Sequence, residues 1–177
     1  MFTPRAGYTM NVVTGEKWER VYRVACSAEQ IDPLVSSLVD VCLPEPFYAI
    51  LTGQWFGDRV DTYLSAFLPR ARMEAVIAPH LPLLVHDGMV GYGFAWDDGA
   101  QHEEVFIDDH KELTVLTSKP KAVEDSLARY GLARIDGLDF ISNHSHGHLN
   151  LGGPEASYCH QIIQLLGMER VPIPEDV

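Results

Sequence analysis

Eight histidines occur in this chain, and all of them follow residue 79. Three alternate with other residues in the run His144-Ser145-His146-Gly147-His148. Imidazole is the commonest protein ligand for divalent transition metals and binds zinc at about 2.0–2.1 Å. On an extended strand alternate side chains share a face, so these three rings would line up with Cα atoms roughly 7 Å apart. Neighbouring rings reach one ion directly, whereas enlisting all three needs a bend, which Gly147 permits. A carboxylate or a fourth imidazole must then complete the shell. Asp108, Asp109, His110, His102 and Glu103 are the candidates, from the turns of an acidic segment upstream. A zinc-type ion held there would lower the pKa of a bound water and make a nucleophile for hydrolysis at neutral pH. The competing reading is a polar surface loop that collects histidine without physiological metal.

The spacing matches no complete catalytic template. A helical H-E-x-x-H is absent. H-x-H-x-D-H is half present, because Leu149 and Asn150 follow His148, and an H-x-H needing a nearby glutamate finds its next one at Glu155. Asn143-His144-Ser145-His146-Gly147 approaches the nucleophile elbow G-x-S-x-G. Asparagine, however, stands where the sharp turn needs glycine, and no helical pattern begins after Gly147. In the last helix His160 falls with Ser157, Gln161 and Gln164, opposite Cys159, Ile163 and Leu166, which predicts an exposed ring. No residue is assigned a catalytic role on these grounds.

The second feature is charge. Between Asp87 and Glu112 stand eight carboxylates and a single base, Lys111, so this window carries −7 of a net −12. Turns collect Asp, and a solvated rim accounts for much of this. The functional alternative is a negative face, built on Asp97, Asp98, Asp108 and Asp109, that steers a basic protein. D-x-[DN]-x-[DN]-G is absent, which excludes an EF-hand calcium loop. Gly91-Tyr92-Gly93 lies inside a strand pattern and Gly152-Gly153 lacks a following Lys-Ser or Lys-Thr, so neither is a phosphate cradle.

The elements that must position these groups follow from periodicity and punctuation. Residues 1–15 read as a loosely ordered lead-in. Trp18 to Cys26 reads as a strand. Asp32-Pro33 reads as a helix start, followed by Leu34, Val35, Leu38, Val39 and Cys42 at helical spacing, with Pro44 and Pro46 as the stop. Phe47 to Leu51 and Tyr63 to Leu68 are strand-like, separated by turn residues Gly57 and Asp58. Arg70 to Ala78 is helical and stopped by Pro79 and Pro82. A meander follows, with strands Met89–Trp96, Glu104–Ile107 and Glu112–Thr117. Ser118 caps a helix from about Lys121 to Tyr130, ended by Gly131. Leu138 to Ser142 is strand-like, and a last helix runs from about Glu155 to Leu166. The segments 21–51 and 113–141 share a strand–helix–strand order, with Ser27/Ser118, Phe47/Leu138 and Ile50/Ile141 each offset by 91 residues, which suggests a duplicated unit.

The 177 residues suit one domain, and 46% apolar with 21% charged residues is globular composition. The expected fold is a single α+β domain over residues 1–177, mainly antiparallel sheet with three or four helices. No apolar run approaches the ~20 residues of a membrane span. A surface at −12 repels nucleic acid and anionic membranes, which excludes both as partners. Cys26, Cys42 and Cys159 form no paired framework, which predicts thiols and a reducing cytoplasm. The leading expectation is an acidic α+β module, without catalysis, that binds a basic protein or a small ligand. The alternative is a metal-dependent hydrolytic enzyme using His144, His146 and His148.

Overall fold

The computed structural model describes residues 4–56, 59–151 and 157–172. Eight strands form one antiparallel sheet. They are β1 (Gly7–Val12), β2 (Arg20–Ala25), β3 (Tyr48–Phe56), β4 (Arg59–Leu64), β5 (Val90–Asp97), β6 (His102–Ile107), β7 (Leu113–Thr117) and β8 (Glu169–Arg170). Their spatial order is β1-β2-β7-β6-β5-β3-β4-β8. The helices are α1 (Ala28–Cys42), α2 (Arg70–Ile77), the single turn α3 (Leu81–Leu84), α4 (Pro120–Arg129) and α5 (Ser157–Leu166). The expected α+β class with an antiparallel sheet is what the chain adopts. Among the described residues no helix is long and apolar enough to cross a membrane.

Alternation decides which face of the sheet is covered. Tyr22 and Val24 of β2, Leu113 and Val115 of β7, and Val105 and Ile107 of β6 are buried. Registers Tyr22↔Val115, Val24↔Leu113 and Val105↔Val115 put them all on one face. Helices cover that face. The buried stripe of α1 is Ile31, Leu34, Val35, Leu38, Val39 and Cys42, a three-and-four spacing that aims one side at the sheet. On the opposite face Val21, Thr114, Leu116, Phe106, Ile50 and Thr52 are only half-buried. Gly91 and Gly93 lie under the Phe106 ring there: a Cβ on Gly91 would come within 2.9 Å of Phe106 Cζ, and one on Gly93 within 2.7 Å of Phe106 Cα. The aromatic ring replaces the packing that the two glycines lack.

Several elements depart from expectation for local reasons. The lead-in is structured from Gly7, because β1 pairs with β2 along its whole length and Ile135 donates its amide to the Tyr8 carbonyl at 2.9 Å. Helix α1 begins at Ser27 rather than at Asp32-Pro33. The Gln30 side chain accepts the Ser27 amide at 3.2 Å, and the extra turn adds Ile31 to the buried stripe; together they offset the backbone bond that Pro33 cannot make. Pro79 and Pro82 end α2 but begin a 3₁₀ turn (Ala78–His80) and α3, where a missing N–H costs nothing. Helix α4 is capped at Lys119 with Pro120 behind it, while the Ser118 amide goes to the Glu103 carboxylate at 3.0 Å.

Leu138–Ser142 is not a strand. Leu138 and Phe140 are buried, but the chain turns at Ile141–Asn143, and the Arg23 guanidinium lies 4.1 Å over the Phe140 ring. The duplicated unit therefore reduces to two strand–helix pairs: β2 and β7 are antiparallel neighbours, and α1 packs on α4 above them. The Gly57-Asp58 turn, the Gly152-Gly153 pair and the helix start near Glu155 lie outside the described residues. None of the three cysteines is in a disulfide: Cys42 and Cys159 are buried, and Cys26 is half-buried, its thiol pushed up to about 11 by burial.

Candidate metal centre

Three pieces of chain converge at the end of the sheet where β6 meets β7. The first is the β6–β7 turn, Asp108-Asp109-His110-Lys111. Asp108 Oδ1 accepts the Glu112 amide at 2.9 Å, and the Lys111 amide donates to the Asp108 carbonyl at 3.2 Å. Lys111 takes a left-handed φ of 63° and sends its ammonium inward to the Val90 carbonyl, 2.6 Å away. Burial lowers that ammonium to about 8, against the opposing pull of Asp87, Asp108 and Asp109. Burial likewise pushes the Asp108 carboxyl above its ordinary range.

The second piece is the loop from α3 into β5. Asp87 is buried, with Oδ2 accepting the Tyr158 hydroxyl at 2.8 Å and Oδ1 accepting the Met89 amide at 3.0 Å. Gly88 follows, and its amide donates to the Leu149 carbonyl at 2.7 Å. A Cβ there would stand 3.1 Å from the Leu149 nitrogen, so glycine lets the two main chains meet.

The third piece is a strap, residues 139–151, with no regular structure after the turn at Ile141–Asn143. Glu112 ties it down. One carboxylate oxygen accepts the Ser142 amide at 3.0 Å, and the other accepts the Ser142 hydroxyl at 3.0 Å and Arg23 Nη2 at 2.7 Å. The extended-strand geometry that would line up all three rings is not adopted across His144–His148, because this segment has no ladder partner and is held by side chains instead.

These pieces sort the histidines in a way the alternating spacing does not convey. His144 turns aside and donates Nε2 to Asp139 at 2.6 Å; Asp139 also takes the Asn143 amide nitrogen at 3.1 Å, and these bonds lower its pKa. His146 and His148 are met by His110 from the β6–β7 turn. Ring centroids lie 4.7 Å apart for His110–His146, 4.9 Å for His110–His148 and 4.8 Å for His146–His148. One nitrogen or carboxylate oxygen from each of His110, His146 and His148 lies within 4.8 Å of the others, and so does one from each of Asp108, Asp109 and His110.

Tautomers follow from the neighbours. His146 Nδ1 faces the His144 carbonyl at 2.6 Å, and His148 Nδ1 faces the Gly88 carbonyl. A carbonyl only accepts, so both Nδ1 atoms carry hydrogen and both Nε2 atoms are left with lone pairs. Those two Nε2 atoms face each other at 3.0 Å. Two lone pairs at that distance repel unless a proton or a metal ion lies between them. Two nitrogens on one tetrahedral zinc are about 3.3 Å apart, from the bond length and angle. Asp109 Oδ1 accepts His110 Nδ1 at 2.8 Å, with its other oxygen 3.8 Å from His148 Nδ1. A carboxylate behind an imidazole fixes the ring and raises its strength as a ligand.

The other candidates lie elsewhere. His102 sits at the far end of β6, between Asp97 at 3.3 Å and Glu104 at 3.2 Å, against the Trp18 ring. Glu103 is buried on the helix-covered face. Asp97 and Asp98 close the β5–β6 turn: Asp97 pairs with Lys17 at 3.1 Å, and Asp98 accepts the amides of Ala100 and Gln101. Asp108 and Asp109 lie at the opposite end of β6, roughly 20 Å away by strand rise. The four aspartates therefore form two separate turns. His160 is exposed on α5. A pocket of about 290 Å³ adjoins the histidines, with His110, Lys111, Cys26, Asp139 and Phe140 among its walls. Nothing in the residue spacing pointed to it, because its walls come from five separate segments. No family model matches this chain, and no curated protein or solved structure matches it.

Proposed function

We propose that the protein binds one divalent transition metal ion of the zinc type through His110, His146 and His148, with Asp109 orienting His110. The observation that supports this most is the 3.0 Å approach of the His146 and His148 Nε2 atoms, with Nδ1 of each ring turned to a main-chain carbonyl. Three imidazoles leave room for a further ligand, which is the pattern of a reactive rather than a closed structural site. His110 and His148 keep about a quarter of their side-chain surface exposed, at 22% and 27%, so an ion has a path in.

Untagged protein, loaded with zinc and desalted, is expected to retain about one equivalent by elemental analysis. His146→Ala is expected to retain less than about a tenth of that. Wild-type protein that retains no more than the variant would defeat the reading.

Hydrolysis is the second reading, favoured by the pocket that shares the His110 ring. A bound ion there supplies a water of lowered pKa and a Lewis acid. Zinc-dependent turnover of activated esters, lost in His110→Ala, is its test. Docking of a basic protein on the acidic turns draws less support, since their carboxylates are divided between two ends of the sheet and engaged in closing their own turns.

A further inference from the structure

The helical layer is split. Helix α1 packs on α4, and α2 packs on α5, with Arg72 Nη2 donating to the Leu165 carbonyl at 2.7 Å. Between α1 and α2 a cavity of about 420 Å³ reaches down to the sheet. That volume lies within the range of small-molecule sites. Val35 and Val39 of α1 face Met73 and Ile77 of α2 across it, and Phe47 and Phe94 form its floor. Their rings meet edge to face at 5.7 Å, which makes the floor rigid.

The rim is negative. Arg70, its one basic wall residue, is already engaged by Asp40 at 2.7 Å and Glu74 at 3.3 Å, and its amide donates to Glu45 at 3.2 Å. Asp32, on the α1 side, makes no ion pair among the described residues. The same wall includes Tyr92, 2% exposed, whose hydroxyl has no hydrogen-bond partner among the described residues. Burial above all, with the charges of Asp32 and Cys26, pushes that hydroxyl's pKa up and keeps it protonated.

We propose that this cavity binds a small amphipathic cation, an aryl or alkyl amine whose apolar body lies between Val39, Met73 and Phe94 while its ammonium group meets Asp32 and the Tyr92 hydroxyl oxygen. An ammonium group donates to both oxygens, which a carboxylate head cannot do. The uncompensated carboxylate at the rim also repels an anionic head. The site is separate from the histidine centre and does not depend on metal.

Three probes of one shape separate the contributions: 3-phenylpropylammonium, 3-phenylpropan-1-ol and 3-phenylpropanoate, titrated against full-length protein and followed by amide NMR shifts. The ammonium probe is expected to bind at about 1 mM or tighter and about tenfold tighter than the carboxylate. Asp32→Asn is expected to shrink that ratio to about threefold or less. Ser36→Trp, an exposed rim substitution that leaves the core intact, is expected to block all three probes. Equal binding of ammonium and carboxylate overturns the charge assignment, as does equal binding of ammonium and alcohol. Absence of binding by any probe, or binding unchanged in both variants, overturns the site.

Discussion

Metal binding by the three-histidine centre has a thermal signature whose size follows from linkage. A ligand that binds only the folded state at about 100 times its Kd stabilises by about 2.7 kcal/mol. For a chain of this length each kcal/mol moves Tm by about 2–4 °C, so zinc is expected to raise Tm by about 5–11 °C. His146→Ala removes one of three nitrogens together with the 3.0 Å Nε2 contact. A loss of about 100-fold in affinity brings the same zinc concentration down to the Kd, where only about 0.4 kcal/mol remains and the shift falls to about 1–2 °C. His144→Ala is the discriminating control. Its ring bonds to Asp139 at 2.6 Å and lies outside the three-ring cluster, so the variant is expected to keep the full shift. Differential scanning fluorimetry of untagged proteins at neutral pH, with magnesium as the comparison ion, reads all three. Loss of the shift in His144→Ala with retention in His146→Ala would refute the assignment of ligands, and no shift in wild type would refute the site.

Other perturbations test the frame around the centre. Glu112→Ala strips the Ser142 amide and hydroxyl of their acceptor and leaves Arg23 without its carboxylate; it is expected to destabilise by about 2–3 kcal/mol in urea and to weaken zinc binding as the strap loosens. Gly93→Ala sets a Cβ 2.5 Å from the Val105 carbonyl and 2.7 Å from Phe106 Cα, both unyielding, and is expected to cost about 2–3 kcal/mol by the same measurement. His102 has its pKa raised, first by the hydrogen bond to Glu104 and also by Asp97, so its contribution to stability is complete below its unfolded pKa and fades as pH rises through the folded one. His102→Gln is expected to destabilise more at pH about 5.5 than at pH about 8.5; an equal loss at both values would contradict the ion pairs described.

Much of the frame was legible in local pattern. The meander β5-β6-β7 announced itself through Asp-Asp-Gly and Asp-Asp-His-Lys turns between alternating apolar residues, α1 and α5 through three-and-four spacing, and α4 through its stop at Gly131. What failed locally depended on distant partners. Gly7–Val12 reads as a lead-in because Pro4, Gly7 and Gly15 punctuate it, yet Tyr8, Met10 and Val12 alternate and the segment is a strand because β2 offers it an edge. Leu138–Ser142 is apolar enough to read as a strand, yet its hydrophobic residues are buried under Arg23 and against the core without a ladder. The histidine run displayed its ligand types but not its choice among them. His110 lies 36 residues upstream of His146, and the sheet order and the Gly88–Leu149 link bring the two together. Asp139, in turn, draws His144 away. The cavity between α1 and α2 left no local trace, since each of its walls reads as ordinary core.

The divided helical layer carries a mechanical consequence. One eight-stranded sheet lies beneath both helix pairs, so a single hydrogen-bonded ladder joins two separately packed blocks. The floor of the gap, Phe94 of β5 included, therefore belongs to the same ladder that carries the α1–α4 pair on β7 and β2.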